Sequence, residues 1–216
     1  MNFRDRRDAG RRLTGELSAY SNRSDVVVLG LPRGGVPVAY EVARALNAPL
    51  DVFVVRKLGL PGHREFAMGA LASGGVRVMN PDVTDLRIPA QLIAHVTERE
   101  WNALQRQEVT YRGNRPFASV RDRTVILVDD GLATGSTMRA AAAALRSHAP
   151  ARIVVAVPVG APATRDDLRT EVNDVICAIS PDPFYAVGLW YADFSQTTDE
   201  EVTALLAARV SEGVSC

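Results

Sequence analysis

The chain has 216 residues, 47% hydrophobic and 23% charged, with 25 Lys and Arg against 25 Asp and Glu and a pI near 6.8. This composition excludes a disordered tail and predicts one globular domain that buries roughly 70% of its extended surface. Zero net charge argues against a protein held mainly by nucleic-acid phosphates, and two cysteines, Cys177 and Cys216, are too few for a disulfide framework.

The charged start, Met1 to Arg7, lacks the apolar stretch of a secretory leader, and no apolar run approaches the roughly 18 residues of a membrane span. A cytoplasmic protein is therefore expected. Of the 25 cations only Lys57 is a lysine.

Residues 3–20 place Ala9, Leu13, Leu17 and Tyr20 at helical spacing, with Arg4, Arg7 and Arg11 on the other face as a solvated surface or partner surface. Val26 to Leu31 is a continuously apolar run suited to a strand buried on both faces. A helix over 36–46 and a second buried strand over 51–55 follow. The stretch 59–75 is Gly-rich and polar and reads as a loop, ending in a short strand at 76–79.

Pro89 opens a long helical pattern to about Tyr111. Beyond it the pattern predicts strands over 124–128, 152–159 and 174–179, with helices over about 136–146 and 162–171. Apolar strands alternating with helices predict a parallel α/β sheet.

The chemistry concentrates in Val125-Ile126-Leu127-Val128-Asp129-Asp130-Gly131-Leu132-Ala133-Thr134-Gly135-Ser136-Thr137. A buried strand ends in two carboxylates, and a tight turn of Gly and hydroxyl residues leads into a helix. Turn amides and the positive helix end suit a phosphate dianion, with the Thr134, Ser136 and Thr137 hydroxyls as further donors. Ionised acids would repel that phosphate at contact, so they must face vicinal hydroxyls on the same ligand. This pattern describes a ribose 5-phosphate. Neither a Walker loop nor a dinucleotide fingerprint has this spacing.

The segment resembles the phosphoribosyl pyrophosphate (PRPP) signature of the type I phosphoribosyltransferases. The resemblance implies a Rossmann-like parallel sheet flanked by helices, with a small hood. It implies one domain over 1–216, with a core of about 24–180, a hood from the N-terminal helix, from about 181–216, or from both, and a mobile lid of about 58–76.

By match, Asp129 and Asp130 bind the ribose hydroxyls and assist catalysis, and Gly131, Leu132, Ala133, Thr134, Gly135, Ser136 and Thr137 hold the 5-phosphate. Arg33, Gly34 and Gly35 follow the first strand as the family's pyrophosphate loop does. Arg56 and Lys57 resemble a basic stretch of adenine phosphoribosyltransferases that faces the diphosphate. His63, Arg64 and Glu65 fall in the lid position. The aromatic segment 181–194 is similar to the base-holding hood of hypoxanthine-type enzymes, with Phe184 or Tyr185 as the stacking ring and Asp193 as the acid.

The resemblance further implies Mg2+ carried by PRPP, with Asp129, Asp130 and Asp193 as the acids within reach, a nitrogen acceptor of the purine-like class, and a homodimer. Hypoxanthine-guanine enzymes carry an Asp where this chain has Ala133, whereas adenine enzymes carry Ala. Usual 6-oxopurine salvage is thereby disfavoured, and the general base must come from elsewhere, with Glu65 a candidate. An alternative is a regulatory PRPP sensor that binds nucleic acid through another face, such as the Arg-rich first helix.

Overall fold

The computed structural model describes residues 2–60, 63–80 and 88–212, with the backbone alone for 63–67. The main sheet holds β1 (Val26–Gly30), β2 (Leu50–Val52), β6 (Thr124–Val128), β7 (Arg152–Val159) and β8 (Asp174–Ile179). Its order is β2-β1-β6-β7-β8, and every pair is parallel.

Both faces are covered, so the strands need continuous apolar runs rather than alternation. Val28, Ile126 and Val154 face one core with Leu46 and Leu206, whereas Leu29, Leu127 and Val155 face another with Met138 and Leu145. Burying each such side chain stabilises the fold by about 1.5–3 kcal/mol relative to exposure.

The helix predicted over residues 3–20 is an α-helix only across α1 (Arg6–Leu13) and continues as a 3-10 helix, Thr14–Tyr20. Asp5 caps α1 by accepting from the Asp8 amide at 2.7 Å. This helix lies so close to α2 (Gly35–Leu46) that a Cβ on Gly10 would stand 2.8 Å from the Val38 carbonyl oxygen. The first helix is therefore seated by backbone contact.

The stretch read as a loop is instead a sheet. After β2 come β3 (Val55–Leu60), β4 (His63–Ala72) and β5 (Val76–Met79), a three-stranded antiparallel unit. The second strand predicted over 51–55 is thus two short pieces, ending one sheet and starting the next. Its glycines hid the hairpin, because glycine weakens a strand pattern without forbidding pairing.

This smaller sheet contacts α3 (Ala90–Arg112) and α4 (Ser136–Arg146). Arg112 of α3 fastens it to the main sheet. Its Nε donates to both Asp51 oxygens, at 2.8 and 3.0 Å, and its other nitrogens reach Glu108, Ser73 and the Val52 carbonyl.

The C-terminal side carries α5 (Pro162–Leu168), a 3-10 turn at Val187–Trp190, and α6 (Asp199–Ser211). Sequence reading did not assign α6, although Thr198 caps it by accepting from the Glu201 amide at 3.2 Å. No helix among the described residues is long and apolar enough to cross a membrane.

Candidate active site

In the main sheet the chain leaves β1 toward β2 on one side and returns at β6 on the other, so β1 and β6 flank the switch point where α/β sheets form a crevice. Their C-terminal ends are level, with Gly30 opposite Val128, and the Leu31 amide donates to the Val128 carbonyl at 2.8 Å. The Leu31–Gly35 turn and the Asp129–Gly135 turn are thereby held side by side. The peptide bond between Pro32 and Arg33 is cis.

The second turn is pinned from below. The Leu132 amide donates to the Val159 carbonyl and the Ala161 amide to the Leu132 carbonyl, each at 2.9 Å. Thr164 Oγ1 donates to the Ala133 carbonyl at 2.7 Å. Gly135 has φ +73°, the left-handed conformation that glycine adopts without cost, and it opens α4. The dipole and free amides of that helix face a cavity of about 160 Å3 lined by Asp129, Gly131, Thr134, Ser136, Thr137 and Val187.

A larger cavity, about 490 Å3 beside Trp101, Val109 and Phe117, lies at the far end of α3 and gathers no comparable anion-binding turn.

The two acids differ in their partners. Asp129 Oδ1 accepts from the Asp130 amide at 2.9 Å, and Asp129 has no cation in contact among the described residues. Burial, with the like charge of Asp130 beside it, holds its carboxyl well above the ordinary value. Burial also raises Asp130, but the Arg6 guanidinium opposes this, with Nε 2.8 Å from Asp130 Oδ2. This ion pair is shielded from solvent, the Arg6 and Asp130 side chains being 12% and 17% exposed.

Arg6 is the residue that sequence reading missed. It lies 124 positions from Asp130 in a helix full of arginines, and nothing local sets it apart. Its NH1 also donates to the Ser195 carbonyl at 2.6 Å, and its guanidinium lies 4.0 Å over the Phe194 ring.

The two predicted basic residues part company, because successive side chains on a strand point to opposite faces. Lys57 Nζ donates to Ser136 Oγ at 2.7 Å, at the first turn of α4. Arg56 turns toward α3 and pairs with Glu100 at 2.8 Å. Arg33 points to α6, with NH1 4.0 Å from Asp199 Oδ1. His63, Arg64 and Glu65 belong to β4 by backbone, and their side chains lie outside the described residues.

The segment expected to form the hood, about 181–194, meets the N-terminal residues beside the acids. Phe3 pairs with Tyr191 as a parallel bridge, and the Ala192 and Asp193 amides donate to the Phe3 and Arg4 carbonyls. Tyr191 OH donates to the Asp130 carbonyl at 2.6 Å, and Val187 packs so tightly on Gly131 that a Cβ there would meet it at 2.4 Å. Of the predicted base-holding residues, Phe184 packs on the Phe3–Tyr191 cluster, whereas Tyr185 is 80% exposed. The exposed Asp193 carboxylate accepts from the Ser195 amide at 2.9 Å, which lowers it below the ordinary range.

A family model described as a phosphoribosyl transferase domain matches residues 3–192. A Mycobacterium tuberculosis H37Rv protein, provisionally named a phosphoribosyl transferase, is 45% identical over 205 residues, which are 94% of this chain and 46% of that protein. The chain thus spans about half the length of this curated relative. The bifunctional protein PyrR of Actinobacillus succinogenes is 30% identical over 129 residues, 60% of this chain and 55% of that protein.

The crystal structure of TT1426 from Thermus thermophilus superposes with a TM-score of 0.86 at 43% identity, covering 96% of this chain and 99% of that one. With its acid pair and turn at the mouth of a parallel sheet and 190 of its 216 residues (3 to 192) inside the match, the chain belongs to the type I phosphoribosyltransferase family.

Proposed function

We propose that the chain binds PRPP across the C-terminal ends of β1 and β6 and transfers its 5-phosphoribosyl group to a nitrogen acceptor of the nucleobase class, releasing pyrophosphate. The observation that carries this reading is the adjacency of the Asp129–Asp130 pair to the turn with free amides at the start of α4. The turn suits the 5-phosphate, and the acids, one residue upstream, suit the ribose diol. Gly34 and Gly35 pack directly beside Asp130 and Asp129, and the diphosphate would extend over this loop.

In the reaction the bond from ribose C1 to the diphosphate oxygen breaks while a C1–N bond forms, and the acceptor nitrogen loses its proton to a base or to water. Positive charge grows on the sugar ring, and the ionised carboxylate of Asp130, paired with Arg6, is placed to stabilise it. The hood segment 184–194, with Phe184, Tyr185 and Asp193, borders the face from which the acceptor would approach. Ala133 leaves that approach without the acid of 6-oxopurine enzymes.

Asp129 and Asp130 offer hard carboxylate oxygens, but no group of three or more His, Cys, Asp or Glu that could hold a metal occurs among the described residues. That pair of carboxylates fits Mg2+ brought in on PRPP oxygens. When bound, Mg2+ neutralises the departing diphosphate.

The reading of a nucleic-acid-binding sensor gains no support from the first helix. Arg6 is committed to Asp130, and Arg7, Arg11 and Arg12, although exposed, pair with Asp8 or Glu41 within the chain.

Calorimetry with PRPP and Mg2+ tests the site first, and a chromatographic screen of purines and pyrimidines then tests transfer. Saturable heat and one nucleotide product are expected. No heat with PRPP, and no nucleotide from any base, would sink the proposal.

A further inference from the structure

We infer that Arg6 is a positioning residue that locks Asp130 to the hood, so that the sugar site and the acceptor side of the crevice respond as one unit. The inference rests on the sugar-phosphate reading of the site and adds a residue from the N-terminal helix to it.

Four observations converge on Arg6. Its Nε meets Asp130 Oδ2 at 2.8 Å, and NH1 meets the Ser195 carbonyl at 2.6 Å. Its planar face lies 4.0 Å over Phe194, whose ring stacks in turn on Tyr191 at 4.9 Å. Among the described residues, Arg6 supplies the ion pair to Asp130, and none other reaches either acid.

The fourth observation is a glycine. Gly34 has an ordinary φ of −61°, so its backbone does not require glycine. Its space does: a Cβ would stand 2.1 Å from Asp130 Oδ2 and 3.1 Å from Arg6 Nε. The pyrophosphate-loop residue is therefore small where the ion pair passes, and a methyl there would displace one partner or the other.

The consequence is geometric. Arg6 takes Oδ2 and not Oδ1 of Asp130, anchoring that oxygen without consuming the second one, which a diol can use. A fork that holds a carboxylate with one nitrogen and a hood carbonyl with another transmits movement between them. Tyr191, bonded through OH to the Asp130 carbonyl, makes a second link along the same route.

Ribose 5-phosphate is the probe, because it carries the diol and phosphate but no diphosphate. In a Trp101→Phe background, Trp190, beside Tyr191, is the single tryptophan. Binding is expected to shift Trp190 emission with the same Kd that calorimetry gives. Arg6→Gln and Gly34→Ala should each weaken ribose 5-phosphate about tenfold and shrink the Trp190 response. Arg6→Lys, which restores a cation without the fork, should recover affinity to within about threefold of wild type while its Trp190 response stays small. Circular dichroism confirms folding, and Arg6→Lys serves if the other variants do not fold.

Wild-type affinity in both Arg6→Gln and Gly34→Ala, or a full Trp190 response in Arg6→Lys, overturns the inference and leaves the site reading standing. Binding of neither PRPP nor ribose 5-phosphate by the wild-type chain overturns both.

Discussion

Two acid–arginine contacts in this molecule look alike at first and serve opposite ends. Asp51 receives Arg112 Nε on both oxygens, and the Val52 and Ala118 amides at 2.7 and 3.0 Å. All of this is buried, and its carboxylate has little capacity left for a ligand. Among the described residues one arginine contacts the Asp129–Asp130 pair, and it touches one oxygen of Asp130. A satisfied carboxylate holds a fold together; an under-satisfied pair at the mouth of a sheet is kept for something that arrives later.

The largest expected effect breaks the first arrangement. Asp51→Ala takes from the buried Arg112 one of its two acids, leaving Glu108, and should cost about 3 kcal/mol of unfolding free energy, read by urea denaturation. An unchanged midpoint would show that Glu108 alone compensates Arg112.

Breaking the second arrangement should cost function more than stability. Asp130→Asn is expected to lower turnover at least about tenfold, or ~1.4 kcal/mol of transition-state stabilisation, with a smaller fall in stability than Asp51→Ala, because burial already disfavours the Asp130 charge. Kinetics equal to wild type would remove that carboxylate from the reaction.

The third prediction turns on sign. Burial raises the Asp129 carboxyl in the folded chain above its ordinary value, so the folded state binds more protons than the unfolded state. Stability contributed by this group is therefore present at low pH and declines as pH rises from about 4 through the raised value. Asp129→Asn keeps the acceptor oxygen for the Asp130 amide and removes the charge. It should melt higher than wild type at pH 7, with the gap closing toward pH 4, while PRPP binding falls. A variant that melts lower at pH 7 would mean the charge is compensated.

The smallest effect sharpens the contrast at its edge. Tyr185→Ala should change stability by less than about 0.5 kcal/mol, because the ring is exposed. Under the proposed function it should raise the acceptor KM without altering the Kd for PRPP. An equal loss on both would place Tyr185 in the sugar site.

Sequence alone read the strand over 124–128 and the helix over 136–146 to the residue, because their apolar runs, turn residues and helix start all agree. It also placed the two acids and the Gly-and-hydroxyl turn at the end of that strand and the start of that helix. It misread 59–75, where pairing between β3 and β4 overrides weak local strand propensity. It passed over α6, although Thr198, Glu201 and the apolar Val202, Leu205 and Leu206 carried a capping and spacing signal. Arg6, and the reason why the predicted loop residue Gly34 must be small, were illegible in a different way. One is an arginine among many and the other a glycine in a plausible loop, and only contact across the fold tells what each does.

Lys57 gives the molecule an unusual chemical address. A reagent selective for primary amines has one side-chain target in this sequence, and that amine sits 2.7 Å from the hydroxyl that begins α4. Acylating or carbamylating the protein therefore places a neutral, bulkier group on one side chain, apart from the α-amine, and a phosphate ester bound there should shield Lys57. The rate of amine capping thus becomes a gauge of occupancy that needs no knowledge of the second substrate.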